Sequence, residues 1–497
     1  MRTDSEQERS FVLALDEGTT NTKAMLVDLR NGTIAASASA RLSIAYPSPG
    51  HVEQDASEIL ETTLAVAAKC LECINPQDVF GISISNQRET VVAWNAKTGE
   101  PIGPALGWQD ARTTQLCEQL RPISGEIRAR TGLVLDPMFS APKMRYLLDF
   151  AATEGVPAEE IRLGTIDTWL LYSLTGSFLA EAGNASRTLL MKLSALEWDP
   201  FLLDAFGIPE SCLAPISRSD ADFGQTREGL PIPVGIPVIS VLADSHAALF
   251  FHTLGEPGLA KATYGTGSSI MAASPVPVAP EGVTGTLAWL SEAPTFAREG
   301  NILTSGATFT WVADMLTDGN VTEIDRLASE IEETNLTLVP AFSGLGAPYF
   351  DRNAQGLISG ISGGSTRQDL ARAALEAVAN QVTDVVLAME QDGLVEIDKV
   401  RADGGPTASQ PLMQLQADFL AKPVEIATRP EASCLGAALF GARAHLGPEM
   451  VAGWKQQRAA AKTYVPVMPG HVRQKERSKW ASGVERSMFI PSGADTP

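Results

Sequence analysis

The chain has 497 residues, of which 20% are charged and 44% belong to the hydrophobic set. That balance excludes disordered, collagen-like and fibrous chains, and at about 100–200 residues per domain the length asks for two to four domains. With 38 Lys and Arg against 59 Asp and Glu the net charge is −21, which opposes binding to nucleic acid and to anionic membrane surfaces.

No apolar run approaches the length of a membrane span, and residues 1–10 are charged and mixed rather than apolar. A cytoplasmic enzyme with no nucleic-acid or membrane partner is therefore expected. Cys70, Cys73, Cys117, Cys212 and Cys434 are scattered. Only Cys70 and Cys73 are close, and they continue a helical stretch, so the set reads as buried thiols rather than a metal or redox pair. The histidines show no metal spacing.

Phe11-Val12-Leu13-Ala14-Leu15 is apolar and bounded by an acid, so it reads as a buried strand. Residues 16–22 read as a turn and 23–28 as a second strand. Asn31-Gly32 signals a tight turn, with a third strand from 33. Residues 57–71 have helical periodicity, and 79–85 form another buried strand. A second unit of the same kind begins near 258: strand 258–264, the turn Gly265-Thr266-Gly267-Ser268, strand 269–273. Two small polar turns in corresponding places indicate a duplicated α/β architecture with a boundary near 245–257. Long helices are expected over 367–391 and 411–420. The polar tail from about Pro469 is expected to be loosely held.

The turn at 16–22 carries Thr19, Thr20, Asn21 and then Lys23. Backbone N–H groups, hydroxyls and a following cation suit a phosphate, and Asp16 at a strand end suits a hydrated Mg²⁺; an ordinary polar hairpin is the alternative. A second such turn at Thr266 and Gly267 points to two hairpins gripping a nucleotide tail. A Walker loop and a dinucleotide Gly-x-Gly-x-x-Gly are both absent. Asp403-Gly404-Gly405-Pro406 lets backbone approach a flat ring, or is a simple strand-to-helix turn. Arg88 and Glu89, just past a buried strand, suit neighbouring hydroxyls, or form a surface ion pair. Asp244 ends the apolar strand at 237–242. It caps a helix, or serves as a carboxylate base for a substrate hydroxyl. His246 is the more structural of the two.

In this order these segments resemble the FGGY carbohydrate kinase family, and within it the glycerol kinase branch. The resemblance runs from about Phe11 to Ala444. It rests on Asn86-Gln87-Arg88-Glu89-Thr90, on the run from Val339 to Tyr349, and on Gly356-Leu357-Ile358-Ser359-Gly360 followed by Asp369-Leu370 and Ala373-Ala374-Leu375-Glu376. The resemblance implies two RNase H-like domains of the actin, Hsp70 and hexokinase type around a cleft. They would fall at 1–246, with the polyol site and first hairpin, and 247–497, with the second hairpin and adenosine site. It implies ATP and Mg²⁺, with Asp16 and Asp244 at the metal and Asp244 as base. Thr19, Thr20, Asn21, Lys23, Thr266 and Gly267 would meet the phosphates, and Gly306 and Gly405 the nucleotide. Arg88, Glu89, Asp244 and Trp108 would bind the polyol. An assembly of two or four copies is also implied.

Besides Tyr146, which stands where the family's N-terminal signature has a Trp, five site positions depart from glycerol kinases. Met138, Ser245 and Ser269 stand where a Tyr, a Gln and an aromatic are usual, and Thr310 and Ser409 where a Gln and an Asn are usual on the nucleotide side. The first three changes enlarge the polyol pocket and remove two long hydrogen-bonding side chains. A four- or five-carbon polyol or a sugar then fits. Residues 226–235 include Arg227 but no Gly-rich loop, so inhibition by a sugar bisphosphate is not expected. A kinase for a pentulose or other sugar, and a non-catalytic actin-like ATP-binding module, are the alternatives.

Overall fold

The apolar run that begins the chain becomes β1 (Phe11–Glu17), in the computed structural model that describes residues 10–488. It is buried on both faces, as a strand covered on both sides must be. β2 (Asn21–Asp28) returns antiparallel to it, and β3 (Ile34–Arg41) continues the meander. β4 (Val79–Asn86) and β5 (Val238–Ala243) then add parallel strands, giving the order β5-β4-β1-β2-β3. α1 (Ala56–Leu71) covers one face, its start held by Asp55, which accepts from the amides of Ser57 and Glu58.

The second sheet repeats the pattern. β6 (Gly258–Tyr264) and β7 (Ser268–Ser274) form an antiparallel hairpin. β8 (Thr284–Leu290) and β9 (Pro294–Ile302) extend it on the β7 side. β10 (Ile397–Asp403) and β11 (Val424–Ala427) run parallel on the other side, and β12 (Ala460–Tyr464) closes the edge. The order is β8-β9-β7-β6-β10-β11-β12. Each sheet thus contains three antiparallel strands followed by two parallel ones, the duplication expected from the paired turns.

α2 (Asp244–Thr253) leaves β5 and runs unbroken across 246/247. It precedes α3 (Gly306–Leu316), the long α4 (Arg367–Glu390), α5 (Gln410–Leu420) and α6 (Ala432–Leu446). α6 crosses α2 so closely that a Cβ on Gly436 would lie 1.9 Å from the Ala247 carbonyl oxygen, and only glycine permits that approach. Together they join Val12 and Ala14 of β1 to Met271, Trp289 and Ala297 of the second sheet in one apolar core. Ser240 Oγ donates to the Ala437 carbonyl at 3.1 Å. A polar seam lies alongside, where β8 meets the first unit: Gly285 N donates to Gly132 O at 3.0 Å, and the hydroxyls of Ser186 and Thr286 are 2.9 Å apart.

Three expectations are corrected. The first turn is narrower than 16–22, because Asp16 and Glu17 stay in the ladder opposite Lys23 and Thr22. The polar tail is a helix, α7 (Gly470–Met488), anchored by buried Trp480, whose Nε1 donates to Asp384 Oδ2 at 2.7 Å; residues 489–497 lie outside the described residues. All five cysteines are free, but Cys73 is exposed while the other four are buried. Among the described residues no helix is long and apolar enough to cross a membrane.

Candidate active site

The parallel strands β1, β4 and β5 end together. Asp16 lies level with Ser85 and Leu242, and Glu17 with Asn86 and Ala243. Their C-terminal ends therefore carry Asp16, the run from Asn86 to Thr90, and Asp244 to one edge. This is the edge at which open α/β sheets present their ligand sites. Asp244 is the first residue of α2, and the position before the helix is Ala243, which makes no side-chain cap. Its carboxylate accepts from Ser245 N at 2.5 Å and remains 37% exposed. The N-cap position is thus Ala243, and Asp244 satisfies a first-turn amide from inside the helix while keeping part of its carboxylate open.

Arg88 and Glu89 are not a surface ion pair. Arg88 Nη1 donates to Glu299 Oε1 at 2.6 Å, and its Nε is 3.4 Å from Asp244 Oδ1. Glu89 is buried at φ 61°, a left-handed conformation, and its Oε1 accepts from Arg187 Nε at 2.7 Å. Arg187 Nη1 in turn lies 2.7 Å from Glu299 Oε2. Burial alone would raise the Glu299 pKa, but the two arginines outweigh it and hold the group below the usual carboxylate range. Sequence reasoning missed Glu299 and Arg187. For Glu299 the available signal was a charged residue within an otherwise buried strand; Arg187 lies in a turn and carried no such signal.

Asp16 accepts from Ser85 Oγ at 2.7 Å. Burial, reinforced by the charge of Asp244, pushes its pKa up to about 6. Two carboxylates that repel one another are a donor set that a divalent cation would relieve. Among the described residues no group of three or more His, Cys, Asp or Glu could hold a metal. The set suits Mg²⁺, which uses one or two carboxylates plus waters and phosphate oxygens, and does not suit an all-protein cage.

Behind Asp16, buried Glu17 is pushed up to about 8 by burial. Its Oε1 accepts from Gln87 Nε2 at 3.0 Å, and the same Nε2 donates to Gln54 Oε1 at 2.9 Å. Gln54 donates to the Thr19 carbonyl, and Trp108 Nε1 donates to Thr19 Oγ1, both at 2.9 Å. The first hairpin tip is thus braced from below and roofed by Trp108. Thr20 and Asn21 stay exposed.

The second hairpin is tied to the start of α3. Gly306 N donates to Gly265 O at 2.9 Å, and Ser305 N and Ala307 N donate to Thr266 O at 2.9 and 3.2 Å. Gly404 brings the end of β10 against this hairpin: at φ 96° its Cβ position lies 1.9 Å from the Tyr264 carbonyl oxygen. A cavity of about 540 Å³ opens here, lined by Gly265, Thr266, Gly306, Thr310, Trp311 and Pro406 among others. Gly405 stands in open space. Ser409 is otherwise engaged, donating to Asp325 Oδ1 at 2.6 Å and capping α5 through Leu412 N.

Ser269 is half-buried, and its Oγ accepts from Lys261 Nζ at 3.3 Å. Burial lowers the Lys261 pKa. Met138 has its amide donating to Asp136 and its carbonyl accepting from Lys143 Nζ at 2.5 Å. The fully buried Lys143 also donates to Gly107 O at 3.1 Å, and burial pushes it down to about 7. His246 is wholly buried under the site with both ring nitrogens unpartnered, and burial keeps it neutral.

Residues 11–251 match the N-terminal domain, and residues 260–445 the C-terminal domain, of the FGGY family of carbohydrate kinases. An apulose kinase from Pectobacterium atrosepticum is 39% identical, over 97% of this chain and 99% of its own. A glycerol kinase from Geobacter sp. is 40% identical, over 96% and 99%. The crystal structure of Plasmodium falciparum glycerol kinase with ADP superposes at a TM-score of 0.89, with 28% identity over 97% of this chain and 99% of that one. The chain belongs to the FGGY family of carbohydrate kinases, and its duplicated sheets are the two-domain actin- and hexokinase-like ATPase fold.

Proposed function

We propose that this FGGY-family kinase transfers the γ-phosphoryl group of ATP to a hydroxyl of a small polyol or sugar. The observation that carries the reading is the meeting of Asp16, Arg88 and the half-exposed Asp244 at one sheet edge, with a second hairpin and its cavity on the other sheet. Glycerol kinases and an apulose kinase among the relatives support that substrate range.

In this reading Arg88 and Glu89 orient the acceptor, and Asp244 takes the proton from the attacking hydroxyl. The hairpins carrying Thr19, Thr20, Asn21 and Lys23, and Thr266 and Gly267, hold the phosphates. The cavity at Gly306 and Thr310 takes the nucleoside. Asp16 and Asp244 hold Mg²⁺, which when bound supplies charge neutralisation to the phosphates. Positioning and preorganised charge account for the rate, and approach of the two units excludes water. The first unit serves the polyol and the second the nucleotide. The division lies after α2, in the turn from Leu254, which takes a left-handed conformation, rather than within the helix at 246/247. The acidic surface and unpaired cysteines fit a cytoplasmic enzyme free of nucleic acid and membrane, and an assembly of two or four copies completes the family-like reading.

A second reading, a kinase for a four- or five-carbon sugar, is favoured by Ser269, whose small side chain leaves room where Lys261 approaches. Coupled ADP release with glycerol, tetritols, pentitols and pentuloses tests both. Turnover stimulated by none of them would refute the kinase reading and favour an ATP-binding module.

A further inference from the structure

Glu299 belongs to β9 of the second sheet, yet its two partners, Arg88 and Arg187, belong to the first unit. Both arginines also hold a carboxylate assigned above to the acceptor: Arg88 lies against Asp244 and Arg187 against Glu89. The ion pairs therefore form one chain, Asp244–Arg88–Glu299–Arg187–Glu89, with Glu299 at its centre. Glu299 and Arg187 are essentially without solvent exposure, and Arg88 is 10% exposed. From these contacts we infer that Glu299 is a positioning residue of the second unit that sets the acceptor-binding geometry of Arg88 and Glu89 in the first.

Three observations carry this. A buried carboxylate between two guanidinium groups fixes both of them, because removing one partner of a buried pair strands the other charge. The Arg88 contact to Glu299 is 2.6 Å, against 3.4 Å to Asp244, so Glu299 is the stronger hold and keeps Arg88 from closing onto Asp244. Glu89 sits at φ 61°, a conformation that costs a non-glycine residue energy and persists only where the surroundings impose it. Its surroundings are Arg187 on the carboxylate and Ser140 Oγ, which donates to its carbonyl at 3.2 Å. Arg187 in turn stacks 5.2 Å over the Phe139 ring. The neighbouring contacts of β8 with Gly132 and Ser186 hold the two units in register at this point. Acceptor binding in the first unit and the position of β9 in the second are then one coupled event.

The inference rests on the proposed roles of Arg88 and Glu89. The test begins with the unmodified protein and its best acceptor from the panel. No stimulated turnover there refutes the kinase reading itself; the remaining outcomes bear on Glu299 alone. Glu299→Gln keeps the shape and removes the charge. It should raise KM for the acceptor at least tenfold, while the KM for ATP and the Kd for ADP stay within twofold. Glu299→Asp, which restores the charge on a shorter stem, should recover part of that loss. Arg187→Lys, which cannot hold Glu89 and Glu299 together, should give the same split. In the unmodified protein, saturating acceptor without nucleotide should slow amide hydrogen exchange in residues 294–302 as well as in 86–90, a measurement independent of how any variant folds. The inference is overturned if a folded Glu299→Gln or Arg187→Lys protein keeps its acceptor KM within twofold. It is also overturned if acceptor and nucleotide weaken equally, or if exchange in 294–302 does not respond.

Discussion

Replacing Asp244 by Asn keeps the side-chain shape and removes the proton acceptor. Two effects compete. The first is loss of the contact with Arg88, which is 3.4 Å long and joins a carboxylate 37% exposed. Pairs of that kind are worth about 0–1 kcal/mol, or no more than about fivefold in binding. The second is loss of general-base assistance, about 10²–10⁴-fold, equivalent to about 2.7–5.4 kcal/mol at 1.36 kcal/mol per tenfold. The second effect wins, so the loss should fall on kcat while the acceptor KM changes only severalfold. On the nucleotide side, loss of one of the two carboxylates proposed to hold Mg²⁺ should weaken Mg·ADP binding, with a partial offset at Asp16. Removing the Asp244 charge takes away one of the causes that push Asp16 up to about 6, leaving Asp16 more readily ionised. Steady-state coupled ADP release gives kcat and KM, and calorimetric titration with Mg·ADP gives nucleotide affinity. A kcat within tenfold of the parent, or a loss confined to KM, would refute the assignment of Asp244 as base.

Ser269→Phe should fill the space beside Lys261 and remove its hydroxyl partner. We expect kcat/KM for four- and five-carbon acceptors to fall relative to glycerol, by at least tenfold across the same panel; an unchanged ratio contradicts the reading of Ser269 as a specificity position. Gly404→Ala should cost at least about 1–3 kcal/mol in urea unfolding from its left-handed backbone alone, with further loss from the clash at 1.9 Å and weaker ADP binding. A stability equal to the parent's would refute that packing. Lys143 has a folded pKa of about 7 against an ordinary 10.5. Between those values the unfolded chain binds more protons, so the lysine's contribution to stability rises with pH, by up to about 1.4 kcal/mol per pH unit. The stability of the parent relative to Lys143→Met should therefore increase from pH 7 to pH 9 in denaturant titrations, and a constant difference would show that Lys143 is not held neutral.

The strands were legible where burial on both faces makes the sequence continuously apolar, as in β1, and where a small polar turn joins two such runs. The expected strand 258–264 coincides with β6, and the helix expected at 367–391 with α4 to within one residue. The tail was misread because its composition is polar. Yet Glu476, Trp480 and Val484 recur at helical spacing and are all buried, which was the signal for one packed face.

The site was legible in its local parts and illegible in its pairings. Asp16, Arg88 and Asp244 follow recognisable strand ends, but Glu299 lies 211 residues from Arg88, and no local pattern announces that separation. What the sequence did contain was Arg298-Glu299 inside a strand, Lys261 inside another, and Lys143 in an amphipathic helix. Each is essentially free of solvent in the folded chain. A charge placed in such an element must find a counter-charge or polar carbonyls, or else neutralise, because leaving it bare is costlier than the strand's own burial repays. The three outcomes are all present: Glu299 finds two arginines, Arg298 finds Asp392 and the Met389 carbonyl, and Lys143 finds two carbonyls and a lowered pKa. Glu299 differs from the others in one respect. Its partners are the residues that also hold Glu89 and Asp244, so satisfying the desolvation of one buried carboxylate simultaneously orders the surface on which an acceptor would lie.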